Sequence, residues 1–215
     1  GEPNDGLRAM FTMMNNARLG VGGQGIGVAE AAFQHSTEYA LNRKQGKSTI
    51  QNKHGTIIDH ADVRRMLISM RADIFASRSI ELENAKAIDM ANATGEPEWI
   101  NKAAFLTPIT KVFGTEIGIN ISNLGVQIHG GMGFIEETGA AQFSRDVRVT
   151  AIYEGTNGIQ AMDLVGRKMM DNGETAYAII NQIKEYIDNL SGVKKDLCGL
   201  LGLANETLRE TVEYL

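Results

Sequence analysis

The sequence predicts an all-α chain: long antiparallel helices packed as a bundle over residues 1–172, then the start of an additional helical region over residues 173–215. Three observations lead there. Only three prolines occur in 215 residues, at Pro3, Pro97 and Pro108, so long stretches carry no strong helix breaker. Apolar residues recur at helical spacing, as at Val63, Leu67, Met70 and Ile74. Strict apolar–polar alternation, the mark of a half-buried strand, is scarce. With 43% hydrophobic residues the chain has the material for a buried core.

A first helix is expected over residues 7–43. Its middle, GVGGQGIG at residues 20–27, is odd for a helix, because each glycine costs about 1 kcal/mol relative to alanine. Close approach of a neighbouring helix explains the run, since glycine admits another backbone. Residues 45–56 (QGKSTIQNKHGT) are polar and glycine-flanked and read as a loop. A second helix follows over 59–93 and ends at NATGEPEW. A third runs over 98–129, with a kink expected at Pro108. HGGMGF (129–134) is a tight turn. A shorter helix is expected over 138–149, a connector at AIYEGTN (151–157), and another helix over 158–170. DNG (171–173) is a turn, followed by helices over 174–190 and 193–215.

Composition removes several classes of function. A net charge of -5, with no basic run, lacks the footprint of a nucleic-acid binder. No apolar run approaches the roughly 20 residues of a membrane span. The single cysteine, Cys198, excludes an intrachain disulfide and fits a reducing, cytoplasmic setting. The polar start GEPNDGLR is no signal peptide. The chain starts without methionine and enters a helical pattern at once, which leads us to expect a piece of something longer. The four histidines have no metal-ligand spacing, so no metal is expected.

Gly20, Gly22 and Gly25 spell G-x-G-x-x-G, but no strand precedes them and no βαβ unit follows, so a phosphate loop is not expected. HGGMG matches the oxyanion turn of some esterases, but G-x-S-x-G is absent. The ten methionines are core filler, although Met13 and Met14 could line an apolar channel. More telling is Glu154, which precedes Gly155 and Thr156 at a turn before a helix. A helix N-terminus offers N–H groups to an anionic cofactor. A carboxylate beside Ile152 and Tyr153, in an apolar turn, has its charged form disfavoured, which suits a general base. An exposed loop glutamate is the commoner case.

Residues 124–167 closely resemble the C-terminal signature of the acyl-CoA dehydrogenases. They carry Q-x-x-G-G-x-G as Gln127, Gly130, Gly131 and Gly133, the pair Arg145-Asp146, and I-Y-E-G-T-x-x-I-Q from Ile152 to Gln160. The resemblance extends back through ARLGVGGQGIGVAEAAFQHSTEYALNRK to about residue 7. It implies a four-helix bundle with FAD at a subunit interface. It also implies a homo-oligomer, an acyl-CoA substrate and an electron-transfer flavoprotein as acceptor. Glu154 then matches the catalytic base, which removes the α-proton while hydride leaves the β-carbon for flavin N5, giving a trans-2-enoyl-CoA. Where some branches carry the base on the first helix, this chain has Ala17. By the same resemblance Asn15, Arg18 and Gly155 belong to the substrate side. Arg43 matches the arginine that reaches the flavin pyrophosphate across a dimer. Gln127, Gly130 and Gly131 approach the adenosine part, and Thr156 touches the flavin beside the base. For Arg145 and Asp146 we expect a buried ion pair or a helix cap, and for Glu136 and Glu137 a solvated helix start.

Some features depart from the family pattern. R-x-x-F-G is here Arg43-Lys44-Gln45-Gly46, the following loop is longer, and Gly158 replaces a side chain that often meets flavin. With the tail beyond Gly173 these features resemble a longer branch that includes methylthiopropanoyl-CoA dehydrogenases. The family's N-terminal helical and central β-domains are not in this sequence. The chain alone is therefore expected to be inactive, and the alternative reading is a non-catalytic, oligomerising helical module. A nucleic-acid-binding relative is disfavoured by the charge.

Overall fold

The structure, a computed structural model, describes residues 2–48, 50, 54–190 and 195–215. Three long helices dominate: α1 (Gly6–Asn42), α2 (Ala61–Thr94) and α3 (Pro97–His129). They pack side by side around a core that includes Ala29, Ala32, Met66, Met70, Ile74, Ile117 and Ile121. The α2–α3 corner is tight because Gly95 takes φ +69 and Pro97 opens α3. At those positions glycine and proline carry no penalty. The fourth side of the bundle is built from short pieces: α4 (Gly131–Phe134), α5 (Ala140–Val147), a 3₁₀ turn at Arg148–Ala151, and α6 (Asn157–Asp163). The expected helix over 138–149 is thus shorter, with a separate 3₁₀ turn at Glu136–Thr138 before Gly139 at φ +75. After α6 the chain widens into a π-turn at Leu164–Lys168, so the expected helix over 158–170 is broken there.

The glycine run lies where α1 crosses α3. A Cβ on Gly22 would sit 2.8 Å from the Thr110 carbonyl oxygen, and one on Gly25 would collide with the Gly114 carbonyl oxygen. In return, a Cβ on Gly114 or Gly118 would sit 2.6 or 2.7 Å from the Gly22 or Gly25 carbonyl oxygen. The run is a contact surface between backbones, as the sequence suggested. A buried polar link fastens α2 to α3, where Asn84 Nδ2 donates to Thr110 Oγ1 at 3.2 Å.

The region expected to be a loop at 45–56 differs. Its described part forms an antiparallel hairpin, β1 (Lys44–Lys47) with β2 (His54–Thr56), while residues 49 and 51–53 lie outside the described residues. Every β1 residue is exposed, so no apolar alternation announced the strand. The α3 helix continues without a break through Pro108. In the tail, α7 (Glu174–Asp188) and α8 (Lys195–Tyr214) form a helical hairpin, in which Asn205 Nδ2 donates to the Ile180 carbonyl at 3.2 Å. The expected start of the last helix at Val193 lies outside the described residues. No helix among the described residues is long and apolar enough to cross a membrane.

Candidate functional site

Glu154 stands in a left-handed turn, at φ +55, followed by Gly155 at φ +85. A non-glycine residue in this region is uncommon and requires support from its surroundings. Here the support is two buried side chains that converge on the backbone of the turn. Arg18, on α1, donates from Nε to the Glu154 carbonyl at 3.3 Å. Gln160, on α6, donates from Nε2 to the carbonyls of Glu154 and Gly155, both at 3.3 Å. A Cβ on Gly155 would meet Gln160 Nε2 at 2.7 Å, so glycine is required there by space as well as by φ.

Arg18 is only 3% exposed, and both Nε and Nη1 of its guanidinium bond to protein groups. Its Nη1 reaches Asn15 Oδ1 at 3.0 Å and Asp163 Oδ2 at 3.3 Å. Asp163 is held from the other side by Arg167 Nε at 2.6 Å. Arg18, expected on the substrate side, therefore anchors the turn from beneath. Asn15 is exposed and borders a cleft of about 500 Å³ shared with Thr12, Asn16, Thr107 and Asp163. Thr156 is the N-cap of α6, its Oγ1 accepting from Ile159 N at 3.4 Å.

Beneath the same turn lies Lys111, fully buried on α3. Its Nζ donates to Asn157 Oδ1 at 2.8 Å, and Asn157 Nδ2 donates to Glu116 Oε1 at 2.7 Å. Burial, with the nearby Arg18 charge, pushes the Lys111 ammonium down to about 8 against the opposing pull of Glu116. The sequence reading missed both Lys111 and Gln160. Their roles depend on the chain folding back, and only the Gln160 position inside the I-Y-E-G-T-x-x-I-Q string carried any signal.

The Glu154 carboxylate makes no hydrogen bond or ion pair among the described residues and is partly open to solvent. Ile152 and Tyr153 are themselves exposed. This chain therefore does not supply the apolar enclosure that the sequence suggested around the base.

The other expected residues gather at the far end of the bundle. Arg43, just past α1, Gln127 near the end of α3, and Gly130 and Gly131 after it are all exposed. Arg43, Gly130, Gln45, His60 and the buried His129 share a cleft of about 220 Å³. The Arg43 guanidinium has no ion pair among the described residues. Gly130 takes φ +61, and its Cβ position and that of Gly131 meet no atom within 4 Å. An open backbone face beside a free guanidinium suits a pyrophosphate-bearing ligand, so these residues fit the dinucleotide that the resemblance implies. His129 Nδ1 donates to the Gly125 carbonyl (2.7 Å) and its ring stacks on Tyr39 and His35; burial, offset by that carbonyl, holds its pKa below the usual histidine range. Among the described residues no cluster of His, Cys, Asp or Glu could hold a metal ion.

The expectation for Arg145 and Asp146 is overturned. Both are exposed and they do not pair with each other. Arg145 reaches Gln142 Oε1 at 2.8 Å and Glu136 at 3.7 Å, and Asp146 accepts from Gln142 Nε2 at 2.6 Å. On the short helix α5 this edge faces solvent, because Ala140 and Val147 are the residues that turn inward.

The two ends are joined by one rigid element. Arg18 and Arg43 are 25 positions apart along α1, which places the base turn and the Arg43 cleft about 37 Å apart at 1.5 Å per residue. That exceeds the reach of a single dinucleotide.

The bundle thus carries a glutamate on a clamped turn at one end and, at the other, an open backbone face beside the Arg43 guanidinium, unpaired among the described residues. The chain belongs to the acyl-CoA dehydrogenase family: the family model described as "Acyl-CoA dehydrogenase, C-terminal domain" matches residues 4–170. It is 49% identical over 182 residues to 3-methylmercaptopropionyl-CoA dehydrogenase of Ruegeria pomeroyi, a match covering 82% of this chain and 31% of that protein. The chain thus spans about a third of the length of the curated relatives it matches. Among solved structures, butyryl-CoA dehydrogenase of Megasphaera elsdenii superposes with a TM-score of 0.65 at 29% identity, over 77% of this chain and 39% of that one. Caenorhabditis elegans ACDH-11, in complex with C11-CoA, superposes with a TM-score of 0.86 over 98% of this chain and 34% of that one; at 19% identity this likeness is one of fold, and it includes the tail.

Proposed function

We propose that this chain is the catalytic-base domain of an FAD-dependent acyl-CoA dehydrogenase that converts an acyl-CoA thioester to its trans-2-enoyl-CoA. The observation that carries the reading is the Glu154 turn. Its backbone is fixed by Arg18 and Gln160, while its carboxylate is left without a partner. Fixing the backbone and freeing the carboxylate is what a general base needs, because proton transfer depends on geometry first. Glu154 takes the α-proton, and Arg18, Gln160 and Lys111 act through the turn as positioning residues. Bound FAD supplies the acceptor for the hydride that leaves the β-carbon. Arg43, Gln127, Gly130 and Gly131 would hold the phosphate and adenosine end of a flavin whose reacting end sits at the Glu154 turn of another copy, since one chain cannot offer both ends to one molecule. Thr156 belongs with the Glu154 end, and Asn15 and Gly155 with the substrate. Electron-transfer flavoprotein is the acceptor that fits this chemistry. The identity to 3-methylmercaptopropionyl-CoA dehydrogenase supports 3-methylmercaptopropionyl-CoA as the first substrate to try.

The test is Glu154→Gln in the full-length protein that carries this chain. The change keeps shape and removes the proton acceptor. Flavin bleaching by acyl-CoA in a rapid-mixing experiment should slow by roughly 10²–10⁴-fold while substrate binding persists. A near-parental rate for Glu154→Gln, with a loss in Glu136→Gln or Glu137→Gln instead, would reject the assignment.

A further inference from the structure

The Glu154 turn is held from two sides. On the α1 side, Arg18 grips the Glu154 carbonyl, with Gln160 on it and on that of Gly155. On the α3 side the grip is on Asn157, the first residue of α6 and the downstream end of the turn. Lys111 and Thr115 stand one turn apart on one face of α3, and both are fully buried. Lys111 Nζ donates to Asn157 Oδ1 at 2.8 Å. Asn157 Nδ2 donates to Thr115 Oγ1 at 3.1 Å and to Glu116 Oε1 at 2.7 Å. An amide bracketed in this way has one orientation. An ammonium only donates and a carboxylate only accepts, so the Asn157 oxygen must face Lys111 and its nitrogen Glu116. Hydrogen bonds to charged groups are also the stronger ones.

Stability alone does not call for a lysine here. A buried ammonium with no carboxylate against it is costly, and an apolar side chain of similar length would fill the space without that cost. We propose that the Lys111 ammonium is a charge-dependent brace on the Glu154 turn: protonated, it locks Asn157 and with it the downstream end of the turn, and on losing its proton it lets both move. The proposal rests on the reading of Glu154 as the base and deepens it. Lys111 is a positioning residue, which acts on the base through Asn157. A neutral amine carries a lone pair as well as N–H groups, so it no longer dictates which end of the Asn157 amide faces it, and its hydrogen bond weakens. Two charges act on Lys111: Arg18 from α1 favours loss of the proton, and Glu116 on α3 itself opposes it. Asp163, at the end of α6, is engaged by Arg18 and Arg167. Glu154, on the turn above, forms no ion pair with Lys111 among the described residues. Burial is the largest influence, and the balance brings the ammonium to about 8, so release falls just above neutral pH.

The experiment is the pH dependence of flavin reduction by acyl-CoA in the full-length protein that carries this chain, followed by rapid mixing. The parent rate should fall above neutral pH as Lys111 loses its proton. Glu116→Gln, at an exposed position, keeps an acceptor for Asn157 Nδ2 but removes the charge that holds the proton on Lys111. The fall should then move to lower pH. Lys111→Met should show no fall, a slow rate at every pH and unchanged substrate binding. The loss should reach roughly 10²-fold for a base displaced by about an ångström. A second reading needs no cofactor. In the 215-residue chain the side-chain amide signal of Asn157 is identified in an NMR spectrum by its loss in Asn157→Ser. That signal should shift through the same titration and stay still in Lys111→Met. A near-parental rate in Glu154→Gln would reject the base and the brace together. With Glu154→Gln slow as expected, three results would each overturn the brace alone. They are a parent rate that holds above neutral pH, a fall that Glu116→Gln leaves in place, and an Asn157 signal that does not titrate.

Discussion

Lys111 sits with its charge in the protein interior and no carboxylate against it, held by the Asn157 side-chain oxygen. Folding lowers its pKa from 10.5 to about 8, chiefly through burial and then through the charge of Arg18. Between those two values the unfolded chain binds more protons than the folded one, so stability rises with pH across that window. Below the lower value the penalty is fully present; above the upper value it is gone. The full span is worth up to about 3 kcal/mol. Urea unfolding at steps through the window should show this rise in the parent chain and a flat profile in Lys111→Met. Glu154 stands out as the candidate base because its neighbours form a contiguous string. Lys111 and Asn157 do not, since 46 positions separate two residues that share one hydrogen bond. Arg18 was legible as a residue of interest, but its place beneath the turn follows from Asp163, 145 positions away.

At the level of elements, the α1–α3 crossing sets the strictest demand. Gly25→Leu would drive a side chain into the Gly114–Thr115 backbone, where nothing flexible can yield. Overpacking of this kind costs about 1–3 kcal/mol, which for a chain of this size lowers Tm by roughly 2–12 °C. Gly27→Ala is the matched control: its Cβ meets nothing within 4 Å, and alanine is the better helix former. Thermal unfolding by circular dichroism separates the two, with Gly25→Leu lower and Gly27→Ala equal or higher. The glycine run announced a close approach, and the Gly114 and Gly118 pair on α3 is the matching signal that the sequence reading passed over. The β1–β2 hairpin had no comparable signal. Its first strand, KQGK, is wholly exposed, and strand recognition relies on a buried face alternating with an open one. The long helices could be read because their buried faces recur at helical spacing; the shorter helices after Phe134 can be read too, but not the breaks that follow them at Arg148–Ala151 and Leu164–Lys168.

On the proposed function, the residues that would hold the two halves of one flavin lie at opposite ends of the molecule. A single copy can therefore grip a flavin only by one end, and ordering a cofactor has an entropic cost that partial contacts do not offset. The purified chain should be colourless, and calorimetric titration with FAD should give no stoichiometric binding. A yellow preparation with one FAD per chain would contradict this.

Because α1 is one uninterrupted helix from the Arg18 anchor to Arg43, it also acts as a gauge block. Adding one residue between them would turn one end by about 100° and move it about 1.5 Å relative to the other. Every length change there would misalign the clamp on the Glu154 backbone or the guanidinium at the far cleft. The hairpin is under no such tolerance: β1 and β2 return to the helix stem through the Ile57 N–H donated to the Arg43 carbonyl at 2.9 Å, so a length change between the two strands leaves the spacing along α1 unchanged.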